Sequence, residues 1–150
     1  MKKTLNFLLM LVMVATALSC TKKDAEPVKK IVGKYKMTAS SSTYGRTGGA
    51  FTTIDTFTDD PACRKDDVIE YTTDNKLIFS EGATSCTPPT ATLSINYELS
   101  ADEKKLQYVY PLGKQEWTVL ELTGNVLKIT NTFTDNSGIT ETDTETYVKF

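Results

Sequence analysis

The chain of 150 residues has no histidine, three cysteines, a single tryptophan and no surplus of positive charge, with 17 Lys and Arg against 19 Asp and Glu. Without histidine it lacks the side chain that most often acts as a general base near neutral pH and as a zinc ligand. Neither a CxxC pair nor a third neighbouring thiolate is present to build a zinc site from cysteine alone. Carboxylates are then the main candidates for acid–base catalysis, and no spacing among them points to a paired-carboxylate mechanism. The chain therefore reads as a protein that is not an enzyme and carries no cofactor. Asp59, Asp60, Asp66 and Asp67 gather around Cys63, but their order lacks the spacing of a calcium loop and paired acids in turns are ordinarily solvated, so no metal is expected. The want of clustered basic residues argues against nucleic acid; the one basic cluster, Lys22, Lys23, Lys29 and Lys30, reads as a solvated tether. No apolar run reaches the roughly 20 residues needed to span a bilayer.

What is present begins with Lys2 and Lys3, followed by a run from Leu5 to Leu18 interrupted only by Asn6 and Thr16 and ending at Ser19 and Cys20. This is the charged start, apolar middle and small-residue end of a signal peptide. The segment "ALSC" resembles the lipobox of bacterial lipoprotein precursors, with Ala17 where the usual leucine stands and Leu18 one place later. That resemblance implies cleavage before Cys20 and acylation of its thiol and amine, palmitate among the chains. Each buried methylene contributes about 0.8 kcal/mol, so three acyl chains hold a protein on a membrane without a spanning helix. The expected organisation is a leader over 1–19, a lipid-anchored linker over 20–30 and one domain over 31–150. The expected location is the cell envelope, at the outer membrane. Loss of the leader removes two lysines and no acids, moving the net charge from −2 to −4.

Cys63 and Cys86 lie in the turn-like segments "PACRKDD" and "EGATSCTPP" on either side of a short strand pair. In an exported chain such a pair reads as a disulfide, and closing a loop of about 24 residues removes unfolded-state entropy worth roughly 3 to 3.5 kcal/mol.

From Lys34 onward the pattern is strand after strand. In "TLSINYEL", Leu93, Ile95, Tyr97 and Leu99 share one face and Thr92, Ser94, Asn96 and Glu98 the other, the period-two alternation of a half-buried strand. Strands are predicted near 34–42, 50–58, 67–73, 76–80, 91–99, 105–110, 116–122, 126–134 and 139–149. Turns are expected at "TTDN", at Asp102 to Lys104 and at Gly124 and Asn125. Only "DAEPVKKIVG" carries helical signals, with Asp24 as a cap, Pro27 in the first turn and Gly33 as a stop. A closed barrel or a two-sheet sandwich would both hide the sheet edges, and the local hairpins favour the barrel.

The segment "IVGKYKMT" looks like the Gly-x-Trp opening of lipocalins, with Tyr35 at the tryptophan position. The wider layout "GKYKMT…CRKDDVIEYTTDNKLIFSEGATSC…YELSADEKKLQY…WTVLELTGNVLKIT" is similar to lipocalin-like lipoproteins of the Bacteroidetes type, over most of residues 31–149. The resemblance implies an all-β, antiparallel, up-and-down lipocalin-like barrel of eight or nine strands with a disulfide between its early loops, able to hold a small apolar or amphipathic molecule. Lys149 stands where an arginine would stack across the closed end.

Alternation places Tyr35, Phe79, Ile95, Tyr97, Leu106, Tyr108, Tyr110, Ile129 and Phe133 inward as lumen candidates, whether as packed core or as ligand contacts. Trp117 is ambiguous, because Trp117 and Val119 share a face with Glu121 while Leu120 and Leu122 lie on the other. In the last strand Thr140, Thr142, Thr144 and Thr146 share a face with Val148 and Phe150, and Glu141, Asp143 and Glu145 share the opposite one; the acids are expected outside and the threonines inside. "SSSTYGRTGGAF" is expected as a mobile loop presenting Tyr44, Arg46 and Phe51. Two functions stay open: a small-ligand binder with an open barrel, and a scaffold or inhibitor with a side-chain-filled barrel that meets a protein partner.

Overall fold

The computed structural model describes residues 29–46, 48–89 and 91–150. The leader, Cys20 and the Asp24–Pro27 part of the expected helix lie outside them. Nine antiparallel strands run in the order β2-β1-β3-β4-β5-β6-β7-β8-β9, and a further β1–β9 pairing closes the sheet on itself. They are β1 (Gly33–Arg46), β2 (Phe51–Asp55), β3 (Val68–Tyr71), β4 (Lys76–Ser80), β5 (Leu93–Leu99), β6 (Lys105–Tyr110), β7 (Gly113–Leu122), β8 (Val126–Thr134) and β9 (Ile139–Lys149). Eight strands form the barrel, while β2 is an extra strand laid against the upper half of β1, Ser41 to Gly45, on the side where β3 pairs with the lower half. The fold is thus the expected all-β, up-and-down barrel, and among the described strands β2 is the one with a wholly unpaired edge.

Alternation fixes the core. Tyr35, Ile69, Tyr71, Leu77, Ile95, Tyr97, Leu106, Tyr108, Trp117, Val119, Leu127, Ile129 and Tyr147 project inward and are buried. One end is sealed from below. Ile31 is fully buried beneath the strands, Lys29 donates to Asn75 (2.8 Å) and Lys30 pairs with Glu103 (3.0 Å). Lys149 extends its ammonium over the Tyr35 ring at 5.3 Å and donates to the Lys30 carbonyl, the place at which the sequence reading put a stacking cation.

At the opposite end Cys63 and Cys86 are bonded, their Cα atoms 5.2 Å apart. The bond ties the short helical turns α1 (Thr56–Asp59) and α2 (Ala62–Lys65) region to the loop after β4. Gly82 in that loop lies so close to the Asp66 carbonyl that a Cβ there would collide with it.

Three expectations need correction. "SSSTYGRTGGAF" is not a loop throughout: β1 continues to Arg46, pairing with β9 over its whole upper half and turning back into β2. Thr43 pairs its hydroxyl with that of Thr53 on β2 (2.8 Å) and Ser42 donates to Asp143 on β9, so a polar sequence sustains a ladder. The strand expected at 50–58 ends at Asp55, whose carboxylate accepts from the Thr58 amide (2.9 Å) and caps α1. The residues of the expected helix that are described form a turn, with the Val32 amide on the Lys29 carbonyl (3.0 Å), and not a helix.

Candidate ligand site in the barrel lumen

The sealed half of the lumen is filled by side chains. Tyr35, Tyr71 and Tyr97 meet edge to face, with ring centroids 5.8 and 5.1 Å apart. Their hydroxyls find partners: Tyr71 and Tyr108 share a buried bond of 2.6 Å, and Tyr97 donates to the Thr72 carbonyl (3.0 Å). Burial raises the pKa of all of them, that of Tyr35 to about 12, so they stay neutral donors.

Above this floor the wall changes character. β9 faces Tyr147 into the core, and residues two apart on a strand share a face, so Glu145, Asp143 and Glu141 follow it inward. The expectation that the acids are outside is therefore overturned. Register agrees: Glu145 lies opposite Ile129 and Ser40, Asp143 opposite Asn131 and Ser42, and Glu141 opposite Phe133 and Tyr44. The threonines form the outer face, where Thr132 bonds Thr142 (3.0 Å) and Thr134 bonds Thr140 (2.9 Å). The physical reason is Tyr147. Burying one aromatic ring on the acid side outweighs Val148 and Phe150 on the threonine side, both of which remain exposed.

Glu145 sits deepest and is only partly exposed. It accepts a 2.6 Å bond from the Tyr147 hydroxyl. Burial raises its pKa; the Tyr147 bond acts in the opposite direction, and the Asp143 charge adds to the rise. Burial likewise raises Tyr71, Tyr108, Tyr110 and Tyr147, and the Glu145 charge adds to the rise of each. Asp143 accepts from Ser42 Oγ.

The facing wall is apolar. Phe79 lies opposite Leu93, and Tyr110 opposite Gly113 at the end of β6. Above the Asn96–Val109 pair, β5 and β6 part, and a notch of about 330 Å³ opens through the wall to the outer face, where Lys76, Ser94, Asn96 and Val109 line it together with Ile95, Tyr110 and Pro111. Exposure increases along each inward row toward this end: from Tyr97 to Leu93 (46%) on β5, from Ile129 to Phe133 (63%) on β8 and from Tyr35 to Tyr44 (42%) on β1. The upper lumen is thus an open, two-sided funnel.

Comparison with solved structures finds lipocalin barrels. Bovine odorant-binding protein complexed with its natural ligand is 12% identical over 86% of this chain and 77% of that one, with a TM-score of 0.47. The same bovine protein in complex with undecanal is 12% identical over the same shares, with a TM-score of 0.48. Lobster apocrustacyanin A1 is 13% identical over 89% of this chain and 66% of that one, with a TM-score of 0.47. No protein-family model and no curated protein matches the chain. The likeness is one of fold.

Of the lumen candidates, Tyr35, Ile95, Tyr97, Leu106, Tyr108 and Ile129 are packed in the sealed half, Phe79 and Tyr110 lie partly exposed at the funnel, and Phe133 stands at its rim. Missed by sequence reasoning were Glu141, Asp143, Glu145, Ser40 and Ser42. The signal for the acids was Tyr147, in step with them. For the serines there was none, because a bulge between Met37 and Ala39 shifts the inward phase of β1. A second bulge, between Val119 and Glu121, settles Trp117. Trp117 and Val119 point inward, the phase then slips, and Leu122 re-enters the core while Glu121 faces out.

Two outcomes are expected here. Tyr71→Phe removes one hydroxyl and leaves that of Tyr108 buried without its partner, costing about 1 to 2 kcal/mol in urea unfolding; adding Tyr108→Phe recovers part of the loss, because no orphan then remains.

Glu145→Gln is expected to stabilise the free protein by about 1 to 2 kcal/mol at neutral pH. A carboxyl whose folded pKa is raised takes up protons on folding, so its contribution is most favourable below the ordinary glutamate range. That contribution falls as the pH rises through the range and stays low above the folded pKa. Unfolding curves of parent and variant should therefore coincide near about pH 4 and separate as the pH rises.

Proposed function

We propose that the protein is a lipid-anchored binding module of the cell envelope, tethered through Cys20, that takes a small amphipathic molecule into the open half of its barrel and performs no catalysis. The observation that carries this reading is the two-sided funnel. Hydroxyls and carboxylates line the β9 and β1 wall, and Phe79, Leu93 and Tyr110 line the other. A part-buried polar wall facing an apolar one suits a molecule with both characters, and an eight-stranded barrel is wide enough for one such ligand. The tether rests on the lipobox-like "ALSC"; Cys20→Ser is expected to move the protein from the membrane to the soluble fraction.

Protein docking is the second reading, favoured by the exposed Tyr44, Phe51 and Ile54 on the β1–β2 hairpin beside an unpaired edge. Native mass spectrometry of the protein purified from its own envelope separates the two. A stoichiometric small molecule supports the binding module, and a co-purifying protein with an empty barrel contradicts it.

A further inference from the structure

The carboxylates on the inner face of β9, Glu145 and Asp143 part-buried and Glu141 exposed at the rim, form no ion pair among the described residues. The ion pairs among the described residues are Lys30–Glu103, Lys34–Glu70, Lys105–Glu116 and Lys114–Glu98, and none involves Glu141, Asp143 or Glu145. Two cations are in step with the inner face: Lys149, at the sealed end over Tyr35, and Arg46, in phase with Ser42 and Tyr44 on β1 and exposed at the rim, well above Glu145. A negative wall inside a partly desolvated funnel favours a positive guest more than the same charges would in water.

A second, independent feature stands in the same place. Trp117 is 5% exposed, faces the lumen beside Tyr108 with ring centroids 6.1 Å apart, and its indole N–H has no hydrogen-bond partner. Thr118 pairs with Thr130, and the next residue of β8, Asn131, pairs with Asp143. Trp117, Asn131 and Asp143 are therefore side by side on the inner face of β7, β8 and β9. A buried donor without an acceptor costs about 1 to 3 kcal/mol, and an indole is also the best aromatic surface for a cation.

Resting on the binding-module reading, we propose that the guest is a small organic cation, an ammonium group on an apolar body, held with its charge against Glu145 and Asp143 and its body against Trp117, Tyr110 and Phe79. A metal ion fits less well. Glu141, Asp143 and Glu145 are spaced two apart on one strand, about 6.5 to 7 Å per step, too far to converge on an ion that needs oxygens at about 2.3 to 2.6 Å. Among the described residues no group of three acidic or sulfur ligands converges on such a point. A guest without positive charge would leave the carboxylates without a counter-charge.

The test uses three molecules of similar shape and different charge: 2-phenylethylamine, 2-phenylethanol and 3-phenylpropanoate. Binding to the full folded domain is measured by calorimetry and by the fluorescence of Trp117, the only tryptophan of the chain. The amine is expected to bind about ten-fold or more tighter than the alcohol, the order of one charge-assisted contact, and the propanoate more weakly than either. Glu145→Gln with Asp143→Asn is expected to bring amine and alcohol within about two-fold of each other while the alcohol still binds. Equal binding of amine and alcohol by the parent overturns the charge inference and leaves the lumen reading standing. An amine preference that survives the double substitution overturns the role of the carboxylates. Failure of all three molecules to bind overturns the lumen reading itself.

Discussion

Replacing both disulfide cysteines, Cys63→Ser with Cys86→Ser, is expected to lower unfolding stability by about 3 kcal/mol and the melting temperature by about 10 °C. The two residues are 23 apart in sequence, and the bond confines a segment that includes β3 and β4, the shortest strands of the barrel wall. These strands pair over only four rows, so they hold fewer ladder bonds than β8 and β9, which pair over nine. The expected result is a local loss as well as a global one. Hydrogen exchange should accelerate first at the mouth, in residues 56–67 and 80–89, and least in β8 and β9. Chemical denaturation of the oxidised parent against the double variant gives the size of the effect. A loss below about 1 kcal/mol would mean that packing alone holds the mouth together.

Leu127→Ala is expected to cost about 3 to 4 kcal/mol. Leu127 is fully buried, lies opposite Tyr147 on β9 and opposite Leu122 on β7, and packs at the sealed end beneath Ile129. Aromatic rings locked by hydroxyl bonds at neighbouring positions cannot collapse into the space, so the cavity term adds to the lost transfer energy. The same truncation at Phe133, on the exposed rim of the same strand, should change stability by less than about 1 kcal/mol. If the two substitutions cost the same in urea unfolding, the division of the lumen into a packed floor and an open mouth is wrong.

Much of the architecture was legible because apolar alternation carries both the period and the sign of a strand. Leu93, Ile95, Tyr97 and Leu99 could point only one way, and the turns at Asn75 and Glu103 sit where the polar breaks placed them; both residues adopt positive φ. The paired cysteines were equally plain.

The candidate site was less legible, and for particular reasons. In "ITETDTETYVKF" both faces are polar, so period two shows a strand but not which side is wet. The decision passes to Tyr147, and its weight depends on neighbours that the sequence does not display. The serines of β1 were hidden by the bulge after Met37, since one extra residue reverses the parity of everything that follows. "SSSTYGR" resembled a loop because serine, threonine and glycine are common in loops. It is a strand because β9 offers eleven register partners along β1. Trp117 was undecidable for the same reason as the serines, a phase slip at Leu120.

The ligand site exists only if the carboxylates of β9 face into the barrel. Carbon-13 NMR titration of the Glu145 side-chain carboxyl, assigned by its disappearance in Glu145→Gln, measures that placement directly. A midpoint above the ordinary glutamate value of 4.5, with Tyr147 and Tyr108 ring signals shifting over the same range, is the predicted result. A midpoint at or below that value, with silent tyrosines, would put the acids in solvent and remove the site.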